Sequence, residues 1–294
     1  MKKLAAFLQL IRWNNLVIMF CTQVLSYYFL SSGISFAQLT EPRFICLCIA
    51  TVFVGAGGYI INDYIDVNLD LVNKPDKVIV GHVISRRWTM FWHFILNGIA
   101  LCLGLFIGLK VTLSIAVAAF LLWVYSVSLK RKFLLGNLLV SLLSAFVIVI
   151  NYVYDTSLNL NLIIAYSIFA FSITLLREII KDAEDIRGDG KFDCETIPIV
   201  LGIRKTKWIL FYLTSAFIVI LFVYTSLSAS SFPFVHTVSR GSFLFYMLVF
   251  VVVPIGIMLY FIRTADTTAD FTRLSRLAKL IMITGMLSMI FWRL

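Results

Sequence analysis

The 294 residues are 61% hydrophobic and only 14% charged, with a mean hydropathy of +0.97, far outside the composition of soluble globular domains. This excludes a water-soluble enzyme and leaves an all-α, polytopic membrane protein. The net charge of +10 raises nucleic acid as a partner, but the placement of the bases along the chain argues against it.

The N-terminal stretch "MKKLAAFLQLIRWNN" has the basic start and apolar run of a signal peptide. Arg12 interrupts it and no small-residue cleavage site follows, so it reads as a retained first helix with an amphipathic lead-in. A bilayer-spanning helix takes about 20 mostly apolar residues. Nine candidates follow in order: 13–31, 44–62, 88–108, 111–129, 133–154, 160–180, 208–227, 242–262 and 277–292. With the N-terminus in the cytoplasm, 21 of the 25 Lys and Arg fall on cytoplasmic segments, leaving Arg43, Lys110, Arg240 and Arg293 outside. That asymmetry orients a protein in the cell membrane and accounts for the basic excess without nucleic acid. Low-complexity segments and Pro/Gly/Ser linkers are absent, so residues 1–294 read as a single domain.

Five cysteines show no C-x-x-C pair, and neither a disulfide framework nor a zinc site is expected. His82, His93 and His236 are scattered and read as structural. The run Gly55 to Gly58, "GAGG", suits close helix packing.

The second span closes on "YIINDYIDVNLDLVNKPDK" and the sixth on "LLREIIKDAEDIRGDGKFD". Aligned without a gap, Asp63, Asp66 and Asp70 fall on Asp182, Asp185 and Asp189, so the spacing D-x-x-D-x-x-x-D occurs twice, 119 residues apart. Eleven of the fifteen acidic residues lie in these two regions, too concentrated for a solvated face. On a helix, positions i, i+3 and i+7 share one face, where three carboxylates repel each other near a C-terminus that already disfavours negative charge. Local lysines and arginines neutralise only part of this. Oxygen ligands without His or Cys suit Mg²⁺, commonly shared between carboxylates and a substrate phosphate. Two such clusters facing each other across a bundle would hold a diphosphate, and apolar helices would seat its oily remainder.

These residues resemble a known family. "NDYIDVNLD" is similar to the first signature of the UbiA-type intramembrane prenyltransferases, and "KDAEDIRGD" with "ETIPIVLG" to their second; "YSVSLKRKFLLGNLLVS" and "RWNN" add to the likeness. The resemblance implies a nine-helix bundle and a Mg²⁺-dependent transfer of an isoprenyl group from a polyprenyl diphosphate to a lipophilic acceptor. It implies that Asn62, Asp66 and Asp70 bind one Mg²⁺ and Asp185 and Asp189 the other, with Asp63 and Asp182 in support. Lys130 and Tyr125 take the catalytic positions, while Lys74, Lys77, Arg131, Arg177, Lys181 and Asn15 are the expected substrate contacts. For Arg177 an ion pair with Glu178 is the alternative. The segment "DKVIVGHVIS" departs from the family's Pro-rich pattern after the first motif, which bears on the acceptor. The motifs most resemble the branch that acts on geranylgeranylglyceryl phosphate in ether-lipid synthesis. An aromatic quinone precursor (4-hydroxybenzoate or naphthoate type) is the alternative acceptor, and a cation or metabolite transporter the alternative of another class.

Overall fold

The computed structural model describes residues 2–31, 33–231 and 237–292. His236 and Arg293, and the side chain of Arg240, lie outside the described residues.

Helices α1 (Lys2–Leu10) and α2 (Trp13–Phe29) meet at a bend of 52°. Arg12 forms the hinge in the left-handed region, φ 51° and ψ 52°, a conformation that costs an L-residue roughly 1–2 kcal/mol. After the short α3 (Phe36–Leu39) come α4 (Pro42–Ile65) and α5 (Val67–Asn73), then α6 (Arg86–Ile107), α7 (Leu109–Val127) and α8 (Leu135–Tyr154). Pro42 stands at the start of α4, where its missing N–H is no loss. The second half holds α9 (Leu160–Glu184), α10 (Ile186–Asp189), α11 (Ile197–Ser231), α12 (Thr237–Met247), α13 (Val253–Thr264) and α14 (Thr268–Leu287). Side-chain caps start α6, where Ser85 accepts from the Trp88 N–H, and α14, where Thr267 and Asp270 form a capping box.

Among the described residues, eight helices are long and apolar enough to cross a membrane, and the bent pair α1–α2 makes a ninth span. Two boundaries differ from the sequence reading. The seventh span, expected from 208, begins at Ile197 and is broken at Gly202, whose φ of 78° interrupts the helix. The last, expected from 277, begins at Thr268. In both places a basic run, "IRKTK" or "RLSRLAK", lowers hydropathy without weakening the helix, because Lys and Arg are good helix formers.

The two helices that carry the acidic motifs are the two innermost. Apolar windows of α4 and α9 are 56% and 61% buried, against 17–39% for the other long spans. α4 packs on α2, α6 and α7, and α9 on α8, α11 and α14. The glycine run makes this possible: a Cβ at Gly55, Gly57 or Gly58 would come within 2.5–2.8 Å of Met19, Asn97 or Leu122. With 24 and 25 residues, α4 and α9 are about 36–38 Å long against a hydrocarbon core of about 30 Å. The surplus carries both polar ends out of the apolar layer.

Candidate active site

Each motif bends the chain at its middle aspartate. Asp66 (φ −85°, ψ 6°) separates α4 from α5, and Asp185 (φ −96°, ψ 11°) separates α9 from α10. The backbone bonds run through both bends: Asp66 N–H to Asn62 O at 2.9 Å, Asp70 to Asp66 at 2.8 Å, Asp185 to Lys181 at 2.9 Å, and Asp189 to Asp185 at 3.2 Å. The single continuous helix of the sequence reading is thus corrected to two segments that keep the acids on one side. A bond that spacing does not reveal joins the motifs to each other: the Gly188 N–H donates to Asn73 Oδ1 at 2.8 Å. A Cβ on Gly188 would fall on the Asn73 amide, so α5 and α10 meet only because this position lacks a side chain.

Both motifs line one cavity of about 580 Å³. Asn62, Asp63, Asp66 and Asp70 contribute from one arm and Asp182, Asp185 and Asp189 from the other, and the wall also takes in Asn15, Lys74, Lys77, Tyr125, Lys130, Arg131, Arg177 and Lys181. All fifteen residues expected from the sequence, seven acid-motif positions among them once Asn62 is included, therefore share one space. Away from this polar end the wall is apolar, with Phe146, Phe169, Met282 and Met286. Seven carboxylates and seven Lys or Arg side chains line the cavity in all, so the whole is close to neutral while its two ends are not.

At the motif end, the ammonium of Lys130 pairs with Asp66, and Lys74 bridges the arms by pairing with Asp185 at 2.8 Å and Glu184 at 3.2 Å. Burial pulls both ammonium groups down, but these carboxylates outweigh it and hold Lys74 and Lys130 above the ordinary lysine value. Asp70 and Asp189 have no such partner. Burial pushes the Asp70 carboxyl up to about 6, with Asp63 and Asp66 adding to the rise and Lys130 opposing it. Burial likewise lifts Asp189 to about 6, helped by Asp185 and resisted by Lys130 and by the Thr196 hydroxyl, which donates at 3.2 Å. Both carboxylates line the same cavity without an ion pair of their own among the described residues, and oxygen donors of this kind fit a hard divalent cation. Among the described residues no three of His, Cys, Asp or Glu lie close enough together to hold a metal ion by themselves.

Other groups are committed elsewhere. Asp63 is paired with Arg12 at 2.8 Å, whose guanidinium also lies 4.8 Å over the Tyr59 ring; this pair holds the left-handed hinge. Asp182 accepts from Asn137 at 2.7 Å. Arg177 and Lys181 share Glu178, at 2.9 and 3.0 Å, so Arg177 makes the ion pair and reaches the cavity wall as well. Asn15 accepts from Lys279 at 2.7 Å. Arg12, Asn73, Asn137, Thr196 and Lys279 are the site residues that sequence reasoning missed. "RWNN", "KFLLGN" and "ETIP" carried a signal for three of them; Asn73 and Lys279 had none.

The comparisons with known proteins agree with this geometry. The UbiA prenyltransferase family matches residues 18–283. The chain is 36% identical over 155 residues to digeranylgeranylglyceryl phosphate synthase of Methanosphaera stadtmanae, covering 52% of this chain and 56% of that one. It is 32% identical over 207 residues to the enzyme of the same name from Methanoculleus marisnigri, covering 69% and 70%. A solved structure of digeranylgeranylglyceryl phosphate synthase superposes with a TM-score of 0.69 at 21% identity, over 99% of both chains. A UbiA homologue from Archaeoglobus fulgidus, bound to GPP and Mg²⁺, gives 0.64 at 14% identity over 97% and 99%. By a match that spans most of its length, the chain belongs to the UbiA prenyltransferase family.

Proposed function

We propose that this prenyltransferase moves an isoprenyl group from a polyprenyl diphosphate to geranylgeranylglyceryl phosphate, a step of ether-lipid synthesis, in the cytoplasmic membrane with the site open to the cytoplasm. One observation carries the reading: two carboxylate arms, from α4–α5 and α9–α10, meet at the mouth of a cavity whose far wall is apolar. In support, the relatives named above are digeranylgeranylglyceryl phosphate synthases, and a homologue of the same fold binds GPP with Mg²⁺.

Asn62, Asp66 and Asp70 on one arm and Asp185 and Asp189 on the other would hold Mg²⁺, with Asp63 and Asp182 in support. When bound, Mg²⁺ neutralises a diphosphate and so makes it a competent leaving group. Lys130 and Lys74 lie between the arms and present ammonium groups to an anion there. Lys77 and Arg131 add positive charge at the rim. Tyr125, on the same wall, would help to position the departing group or the cation. Phe146, Phe169 and the methionines seat the isoprenoid and keep water from an allylic cation.

Purified protein given labelled geranylgeranyl diphosphate and Mg²⁺ should prenylate geranylgeranylglyceryl phosphate in preference to 4-hydroxybenzoate or a naphthoate. Absence of transfer to every acceptor would overturn the enzymatic reading. Cysteines introduced at Lys74 and Lys191 should react with impermeant reagents from the cytoplasmic side alone; labelling from outside would overturn the orientation.

A further inference from the structure

The cavity's charge is divided. Around the paired motifs, Asp66, Asp70, Asp185 and Asp189 face Lys74 and Lys130; the strongest charges acting on Asp189 are Asp185, Lys130 and Asp66. Toward the N-terminal elbow the balance reverses. Arg177 and Lys181 share Glu178 there, Arg12 is paired with Asp63 and lines the same cavity wall as both, and Lys279 reaches Asn15 on that wall. Four cations, Arg12, Arg177, Lys181 and Lys279, gather there against two carboxylates, Asp63 and Glu178.

Donors remain for a ligand at this end. Arg177 Nε is buried without a hydrogen-bond partner. Lys279 is met by an amide oxygen, that of Asn15, rather than by a carboxylate, leaving an ammonium poorly neutralised beside an apolar bundle. A second cavity of about 410 Å³ under the elbow is lined by Trp13 and Lys279 and shares Gln9, Arg12 and Asn15 with the main one. The cationic end therefore adjoins a second cavity, between the elbow and α14, that the motif end does not reach. An excess of about two positive charges, with Arg and Lys donors converging, suits a phosphate monoester, which carries nearly two negative charges at neutral pH.

We propose that Arg12, Arg177, Lys181 and Lys279 form a separate seat for the phosphate of the prenyl acceptor, and that Arg177 and Lys279 select a phosphorylated acceptor over a neutral one. The seat rests on the reaction proposed above and deepens it: one end of the cavity is built for a diphosphate that arrives with cations, the other for a phosphate that arrives without them. The acceptor's glyceryl hydroxyl then points from the seat toward the motif end.

Binding tests the seat without turnover. Full-length protein in nanodiscs of zwitterionic lipid, without donor or Mg²⁺, is titrated with a single-chain glyceryl ether phosphate, its dephosphorylated alcohol, a two-chain anionic phospholipid and inorganic phosphate. The phosphorylated single-chain ether should bind at least about tenfold more tightly than the alcohol, the size of one charge-assisted hydrogen bond, and more tightly than the phospholipid or free phosphate. Arg177→Gln and Lys279→Gln should each erase most of that preference, Lys279→Arg should restore it, and Asp189→Asn should leave it in place. Arg177 is tied to Glu178, so Lys279→Gln decides the matter if Arg177→Gln does not fold, with retained binding of labelled geranylgeranyl diphosphate plus Mg²⁺ as the check on folding. Equal affinity for the alcohol, equal affinity for the phospholipid or free phosphate, or a preference that follows Asp189 and ignores Lys279 would overturn the seat. Selective binding without any transfer would instead sink the proposed reaction and leave the seat standing.

Discussion

Replacing Gly188 by alanine tests how the two motifs are brought together. The added Cβ would overlap the side-chain amide of Asn73, the group whose Oδ1 accepts the Gly188 N–H at 2.8 Å. Relief requires α5 and α10 to separate. Losing the bond costs about 1 kcal/mol and forcing an extra methyl into a packed contact about 1–3 kcal/mol, so Gly188→Ala should destabilise by about 2–4 kcal/mol. Thermal unfolding in detergent should fall by on the order of 5–10 °C, and transfer should fall with it as the carboxylate arms part. The cause is checked by a double-mutant cycle. Asn73→Ala alone loses the bond, about 1 kcal/mol, while removing the Asn73 Nδ2 that is buried without a partner. In that background Gly188→Ala should cost less than about 1 kcal/mol, because the obstacle is gone and alanine is the better helix former. Additive costs in the two variants would refute the overlap as the reason for the glycine.

Three further outcomes are expected. Lys130→Gln leaves Asp66, 2% exposed, without its cation, so stability should drop by about 3–5 kcal/mol and transfer by at least about a hundredfold; Lys130→Arg should recover stability more than activity, and equal recovery of both would argue against a specific ammonium role. Burial pushes Asp70 and Asp189 up from 3.8 to about 6, so the metal-free chain loses stability as pH rises from about 4 through 6. Mg²⁺ requires the ionised carboxylates and should therefore raise the unfolding temperature more at pH 7.5 than at pH 5; a rise independent of pH would contradict this. Thr196→Val removes the hydroxyl that holds Asp189 down, so the Mg²⁺ requirement should increase several-fold at pH 6 and little at pH 8.

The spans and the motif spacing could be read along the chain because each depends on neighbours in sequence: hydropathy over about 20 residues, and acids three or four apart on one face. What stayed hidden depends on distant pairs. Nothing near Asn73 indicates that it meets Gly188, 115 residues away, and nothing near Lys279 indicates Asn15, 264 residues away. Arg12 was visible as an interruption of an apolar run, but its meaning needed Asp63 on another helix. Asn137 sat in a stretch already singled out, yet an uncharged amide in an apolar span gives no sign of the carboxylate it serves. The extra turns of α11 and α14 were lost for the opposite reason: basic residues looked like a boundary, whereas their side chains reach water from within a helix.

The matched tally of acidic and basic side chains around the cavity bears on how the molecule is made. A ring of unopposed carboxylates would stall insertion until an ion arrived, as small zinc domains stay unfolded without theirs. Here lysines and arginines supply that opposition from within the polypeptide, so biogenesis is decoupled from the supply of magnesium. Chelation should silence such a protein while leaving its helices assembled, ready to resume work when the ion returns.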